Sequence, residues 1–224
     1  MPSSFDSSAK HWDTPAKEAR SDRIARQMRA YIDRYAPDVA LGVEYGCGSG
    51  QVGFALADRF ERLTFVDSST GMIAEVEKKI ENFQGEDARR RESAAAAPVA
   101  FGAVVGDAQE GVLPGVFGEV FFLSLSLHHV NDVPALLRNI RSMMPAGGLL
   151  VIYDLDHEGG KFHAGGRHEG HAHHGFHREH LSGQLENAGF TVLEVQDGPA
   201  LTRKSGEEFR TFMIAAQAEH PPTS

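Results

Sequence analysis

The chain has a single cysteine, a single tryptophan and no apolar run near the roughly 20 residues that span a bilayer. One cysteine, Cys47, excludes an intrachain disulfide, and a reducing cytoplasm is the expected compartment. The absence of a long apolar run excludes a membrane helix. The N-terminus MPSSFDSSAKHWD lacks a basic segment followed by an apolar one, so no secretory signal is expected. Cations are outnumbered: 22 Lys and Arg stand against 31 Asp and Glu, a formal charge of −9 that argues against a dedicated nucleic-acid surface. The 12 histidines qualify this, because mild acid would erase much of that charge. What is present, 224 residues with 41% hydrophobic and 24% charged, suits one domain over 1–224 with a substantial core.

The most informative stretch is Val43-Glu44-Tyr45-Gly46-Cys47-Gly48-Ser49-Gly50. An apolar run from Val39 feeds a glycine-rich turn that opens into a helical segment starting at Gln51. Such a turn lets the backbone approach a nucleotide-like cofactor at a helix N-terminus. A first helix is predicted over 14–35, with Thr14 as N-cap, Pro15 in the first turn, and Ile24, Met28, Ile32 and Tyr35 near helical spacing. Strands are predicted at 39–45, 62–67, 99–105, 119–125 and 149–155, with helices at 70–82 and from Asp132 to Met144. The polar segment 84–98, with its Arg89-Arg90-Arg91 run, reads as a solvated loop rather than a phosphate site. A helix at 178–188 precedes strands at 190–196 and 208–217, which with little between them suggest a hairpin closing one edge. This alternation implies an α/β parallel sheet, doubly wound, with its ligand at the strands' C-terminal rim.

Two cofactors compete for the turn. Gly48-Ser49-Gly50-Gln51-Val52-Gly53 fits G-x-G-x-x-G with Asp67 behind it, the pattern of an NAD(P)-dependent oxidoreductase. Against it, Glu44 stands within reach of the turn, Asp107 follows the third strand, and no Lys or Arg occurs between Val39 and Asp58. An acid-lined rim suits a ligand carrying an ammonium, a sulfonium, a ribose and an adenine. Asp67 and Asp107 also suit helix-cap and turn roles, and Met72 suits the core.

The segments VEYGCGSG (43–50), FVDSSTGMI (65–73), VVGDAQ (104–109), LSLSLHHVND (123–132), PAGGLLVIYDL (145–155) and LSGQLENAGF (181–190) together resemble a class I S-adenosylmethionine-dependent methyltransferase of the small-molecule type, over about 150 residues. The resemblance implies a Rossmann-like seven-stranded sheet of order 3-2-1-4-5-7-6, strand 7 antiparallel, helices on both faces, and S-adenosyl-L-methionine as cofactor. It further implies that Glu44, Tyr45 and the Gly46, Cys47, Gly48 and Gly50 turn hold the methionine part. Asp67 would bridge the ribose hydroxyls, and Ser68 and Met72 would lie beside the adenine. Asp107 would accept from the adenine amino group, and the Ala108 N–H would meet a ring nitrogen. Ser124 and Leu125 would pass near the transferable methyl.

A sulfonium methyl is already activated, so a general base helps only where the nucleophile must lose a proton. His128 and His129 are the base candidates, and a packing role competes for each; Tyr153, Asp154 and Asp156 are weaker ones. Phe5, Trp12 and Asp13 would fold over the cofactor as part of a helical cap over 1–37. Residues 157–180 form a His/Gly-rich insertion with eight histidines, His157, His163, His168, His171, His173, His174, His177 and His180. A flexible lid or a solvated loop fits its glycines better than a metal cage, although a metal-handling or interaction protein on the same scaffold is the non-enzymatic alternative. The expected acceptor is a small molecule, not nucleic acid, and the chain is expected to be a monomer or a homodimer.

Overall fold

The computed structural model describes residues 5–90, 99–159, 162, 172–203 and 206–220, with only the backbone of 84–90. Helix α1 (Pro15–Tyr35) starts as predicted: Thr14 Oγ1 accepts from the Lys17 N–H and Pro15 opens the first turn. Its buried stripe is Ile24, Met28, Tyr31 and Ile32. Tyr35 packs half-buried against the same core and donates its hydroxyl to Glu194.

Strand β1 (Leu41–Tyr45) leads through the glycine turn to α2 (Gln51–Leu56), then β2 (Arg62–Asp67) and α3 (Thr70–Arg90). The predicted loop at 84–98 is corrected in its first half. α3 runs to Arg90 because Glu, Gln, Ala and Arg propagate a helix and no proline intervenes before Pro98. Residues 91–98, and Arg91 with them, lie outside the described residues. β3 (Ala100–Val105), β4 (Val120–Ser124), α4 (Val133–Ser142, capped by Asp132 Oδ1 on the Ala135 N–H) and β5 (Leu149–Leu155) follow.

After α5 (Arg178–Asn187) and β6 (Phe190–Asp197), a short hairpin of β7 (Leu201–Thr202) and β8 (Glu208–Phe209) precedes β9 (Thr211–Ala218). The seven-stranded sheet has the order β3-β2-β1-β4-β5-β9-β6. β9 is antiparallel to both neighbours, with Leu149 opposite Gln217 and Phe190 opposite Ala218. Counting the short hairpin out, this is the expected order, with β9 as the seventh strand. The stretch joining β6 to β9 is longer than a turn, and its hairpin reaches the site.

One core face packs Val43, Leu123, Leu150 and Ile152 against α4 and α5 through Leu136, Leu137, Ile140, Leu181 and Leu185. The other packs Phe65, Phe122, Val151 and Tyr153 against α1, α2 and α3 through Ile24, Met28, Leu56 and Val76. All seven residues of β5 are buried, so the sheet's centre is covered on both faces. β1 to β5 run parallel, so their C-terminal ends share one rim.

Candidate active site

The glycine turn is held by backbone demands. Gly46, Gly48 and Gly50 have φ of 65°, 53° and 78°, where a Cβ is strained. A Cβ on Gly46 would sit 2.4 Å from Cβ of Ser126. Cys47 N–H donates to Val66 O at 3.0 Å, fastening the turn to β2. The Cys47 thiol is buried, and burial pushes its pKa well up, which makes it a packing group.

Three carboxylates stand at the ends of β1, β2 and β3. Glu44 is 2% exposed and accepts from the Gly53 N–H at 3.0 Å; burial pushes its pKa up to about 8. Asp67 accepts from the N–H groups of Gly48 and Ser69, both at 2.8 Å, and burial raises its pKa. Asp107 accepts from the Tyr45 hydroxyl at 2.8 Å and from both the backbone and side chain of Gln109. Each acid therefore has a structural partner and also faces one cavity of about 410 Å³. That volume is within the range of small-molecule sites.

Of the residues singled out in the sequence, Glu44, Tyr45, Gly46, Cys47, Gly48, Asp67, Ser68, Met72, Asp107, Ser124, Leu125, His128 and His129 line this cavity. Gly50 and Ala108 do not. Gly50 is the left-handed N-cap of α2. Ala108 is fully buried, and its N–H donates to the Tyr45 hydroxyl at 3.1 Å instead of facing the cavity. Tyr45 thus ties β1 to the turn after β3, a role that its place in the motif did not announce.

Leu125, just past β4, is the one non-glycine among the described residues with positive φ, 53°. Such a conformation costs on the order of 1–3 kcal/mol and persists where the surroundings over-determine it. Its N–H donates to Tyr153 O at 2.8 Å, which holds the chain against β5. The following turn carries His128, 2% exposed, with Nδ1 2.7 Å from Oδ1 of the fully buried Asp154. The His128 N–H also reaches Asp154 Oδ2 at 3.3 Å. His129 packs its ring 4.1 Å from that of His128 and 5.2 Å from Phe5. Of the weaker candidates, Tyr153 donates to Pro199 O at 2.6 Å, and Asp156 pairs bidentately with Arg178; neither lines the cavity.

The N-terminal segment covers the turn. Phe5 and Trp12 line the cavity. Asp6 Oδ1 accepts from the Ser69 hydroxyl and the Gly71 N–H at the start of α3. Asp13 does not line the cavity; it accepts from the Ser49 hydroxyl and pairs with Lys79. Sequence reasoning missed Lys17 and Arg20 of α1, Gln109, Phe162 and Arg203, all of which line the cavity. The facing period of α1 pointed to Lys17 and Arg20, which precede Ile24 by seven and four residues.

The histidine-rich segment is described only in part. His163, His168 and His171 lie outside the described residues. Among the described residues no three His, Cys, Asp or Glu side chains converge to hold a metal ion. His173 bonds Val130 O through Nε2 at 2.9 Å, and the N–H groups of Ala172 and His173 donate to His128 O. His157 and His177 stack at 4.4 Å. No described histidine of this segment lines the cavity. Among the described residues no helix is long and apolar enough to cross a membrane.

Residues 19–195 match the family model of a methyltransferase domain. No curated protein matches the chain significantly in sequence. Among solved structures, a SAM-dependent methyltransferase of Methanosarcina mazei is 17% identical, covering 85% of this chain and 98% of its own, at a TM-score of 0.66. The methyltransferase in complex with the Trm112 methyltransferase activator of Haloferax volcanii is 17% identical, with 98% of this chain and 100% of its own covered and a TM-score of 0.69. Magnesium protoporphyrin IX methyltransferase of Synechocystis PCC 6803, solved with bound SAH, is 16% identical, with 91% and 83% covered and a TM-score of 0.63. At these identities the likeness is one of fold, and the family rests on the domain match. That match sets aside the oxidoreductase reading of the glycine turn, and the chain belongs to the methyltransferase-domain family.

Proposed function

We propose that the chain transfers a methyl group from S-adenosyl-L-methionine to a small-molecule acceptor in this cavity. The observation that carries the reading is the meeting of Glu44, Asp67 and Asp107, from three adjacent strand ends, around a turn whose glycines leave no side chain in the way. Glu44 suits the ammonium of the methionine part, Asp67 the ribose hydroxyls, Asp107 and Met72 the adenine, with Ser68 beside it. Each Asp67 oxygen keeps a lone pair beyond the one its N–H partner uses, and Asp107 keeps one on Oδ2, its Oδ1 already accepting from Tyr45 and Gln109. When bound, the donor supplies a methyl already activated on sulfonium sulfur, which keeps the bonding electron pair as the methyl leaves.

The chain's own work is then alignment, drying and proton removal. Ser124 and Leu125 form the wall at the end of β4, and the strained Leu125 backbone fixes its direction. Phe5 and Trp12 exclude water from above. Asp154 holds the Nδ1–H tautomer of His128, so Nε2 serves as the base that takes the acceptor's proton. His129 acts as packing between that base and Phe5. Residues 5–37 serve as a cap on a single domain, the buried free thiol of Cys47 fits a reducing cytoplasm, and a monomer or homodimer suffices.

The test is turnover against a metabolite panel, read as S-adenosylhomocysteine release, for the native chain and Asp154→Asn. The variant should lose about 100-fold or more in rate at an unchanged donor KM. Equal rates would remove His128 as the base.

A further inference from the structure

One end of the histidine-rich segment, residues 172–177, is built into the sheet. Phe176 N–H donates to Leu155 O at 2.9 Å, and His157 N–H donates to Phe176 O at 3.0 Å. Asp156, just past β5, and Phe176 form a parallel bridge. Gly175 has φ of 77°, and a Cβ there would stand 2.2 Å from Asp156 O, so glycine lets the chain close on the end of β5. Phe176 is buried in the core and meets Phe212 of β9 edge-on, with ring centroids 6.5 Å apart.

From that anchor the segment grips the His128 turn. The N–H groups of Ala172 and His173 donate to His128 O at 2.9 and 3.0 Å. The half-buried His173 ring packs 5.2 Å from that of Phe176 and bonds Val130 O through Nε2 at 2.9 Å. A carbonyl only accepts, so Nε2 of His173 carries the hydrogen. One residue thus holds the carbonyls on both sides of His129. The His128 ring is held at 2.7 Å by Asp154, which belongs to the same β5. Backbone and ring of His128 are therefore both referred to one strand, the backbone through His173 and the ring through Asp154.

We propose that His173 is a positioning residue for methyl transfer: it fixes the turn over 128–130 so that His128 Nε2 keeps its direction into the cavity. This rests on the reading of His128 as the base. His173 does not line the cavity, so it acts through the turn. A base misplaced by about 1 Å loses roughly 100-fold in rate, so the bond to Val130 O is one that catalysis feels.

The experiment compares His173→Gln with His173→Asn. Glutamine carries an N–H about as far from the backbone as Nε2 does, and the asparagine amide falls short of Val130 O. In the chain saturated with S-adenosylhomocysteine, side-chain NMR reads the exchange of the His128 Nδ1 proton with water, its signal assigned by its absence from His128→Gln. His173→Asn speeds that exchange about 10-fold or more, and His173→Gln keeps it within about 3-fold. Turnover on the acceptor that the metabolite panel returns follows the same order. Its kcat falls about 10-fold or more in His173→Asn and within about 3-fold in His173→Gln, with donor KM within about 2-fold in both. Added to His128→Gln, His173→Asn changes the rate by less than about 2-fold. Exchange and kcat unmoved in His173→Asn would overturn the proposal, as would equal losses in both variants, or a loss that adds in full to that of His128→Gln. A native rate in His128→Gln would instead defeat the base reading, and the positioning role with it.

Discussion

Glu44→Gln separates charge from shape at the floor of the cavity. The side chains are nearly isosteric, and glutamine retains an oxygen for the Gly53 N–H. Burial raises the Glu44 pKa from its ordinary 4.5 to about 8; the Gly53 N–H opposes the shift and Asp67 adds to it. A carboxyl with a higher pKa folded than unfolded binds more protons in the native state between those two values, so stability falls as pH rises through that window. Between pH 4.5 and 7 the loss is about 1.36 kcal/mol per pH unit, or roughly 3 kcal/mol in the ligand-free protein. For a chain of this size that is roughly 6–12 °C in melting temperature. The native protein should lose that much between pH 5 and 7 beyond any drop in Glu44→Gln. The cofactor's ammonium reverses the preference, so binding at pH 7 should expel about one proton from the native protein and none from the variant. Calorimetry in phosphate and in Tris reads that proton directly. The variant's affinity for S-adenosylhomocysteine should fall about 10- to 100-fold, the worth of one charge-assisted hydrogen bond. Parallel melting curves, together with no buffer dependence of the native binding enthalpy, would refute the reasoning.

Gly46→Ala should abolish cofactor binding and destabilise the fold by a few kcal/mol, because its Cβ meets Ser126 at 2.4 Å on a backbone with φ of 65°; thermal melts and calorimetry check both. Asp6→Ala removes the acceptor for the Ser69 hydroxyl and the Gly71 N–H. It should speed S-adenosylhomocysteine dissociation about 10-fold in stopped flow and lower the melting temperature by a few degrees, because the Ser69 hydroxyl that loses its acceptor is fully buried.

The fold was legible because its signals were local and repeated. Thr14-Pro15, Asp132 and the glycine turn each state an element's boundary in their own chemistry. The acids were legible because each ends an apolar strand. The cations were not read, although Lys17 and Arg20 share a helical face with buried Ile24, because nothing in the sequence says which cavity the start of α1 lies against. Arg203 enters through a two-residue hairpin too short to leave a periodic trace. Tyr45 carried no signal of its link to Asp107 and Ala108, which depends on β1 and β3 being held two strands apart by β2. The end of α3 was misread because a charged, alanine-bearing stretch suits helix and solvated loop alike.

The central claim is that carboxylates at three adjacent strand ends select an adenosyl donor with a charged methionine part. Calorimetric titration of the purified chain with S-adenosylhomocysteine and, separately, NADH tests it most directly. The account predicts one equivalent of S-adenosylhomocysteine bound, at an affinity that Asp67→Ala cuts about 100-fold or more, and no heat from NADH. Saturable NADH binding with no S-adenosylhomocysteine binding would contradict it.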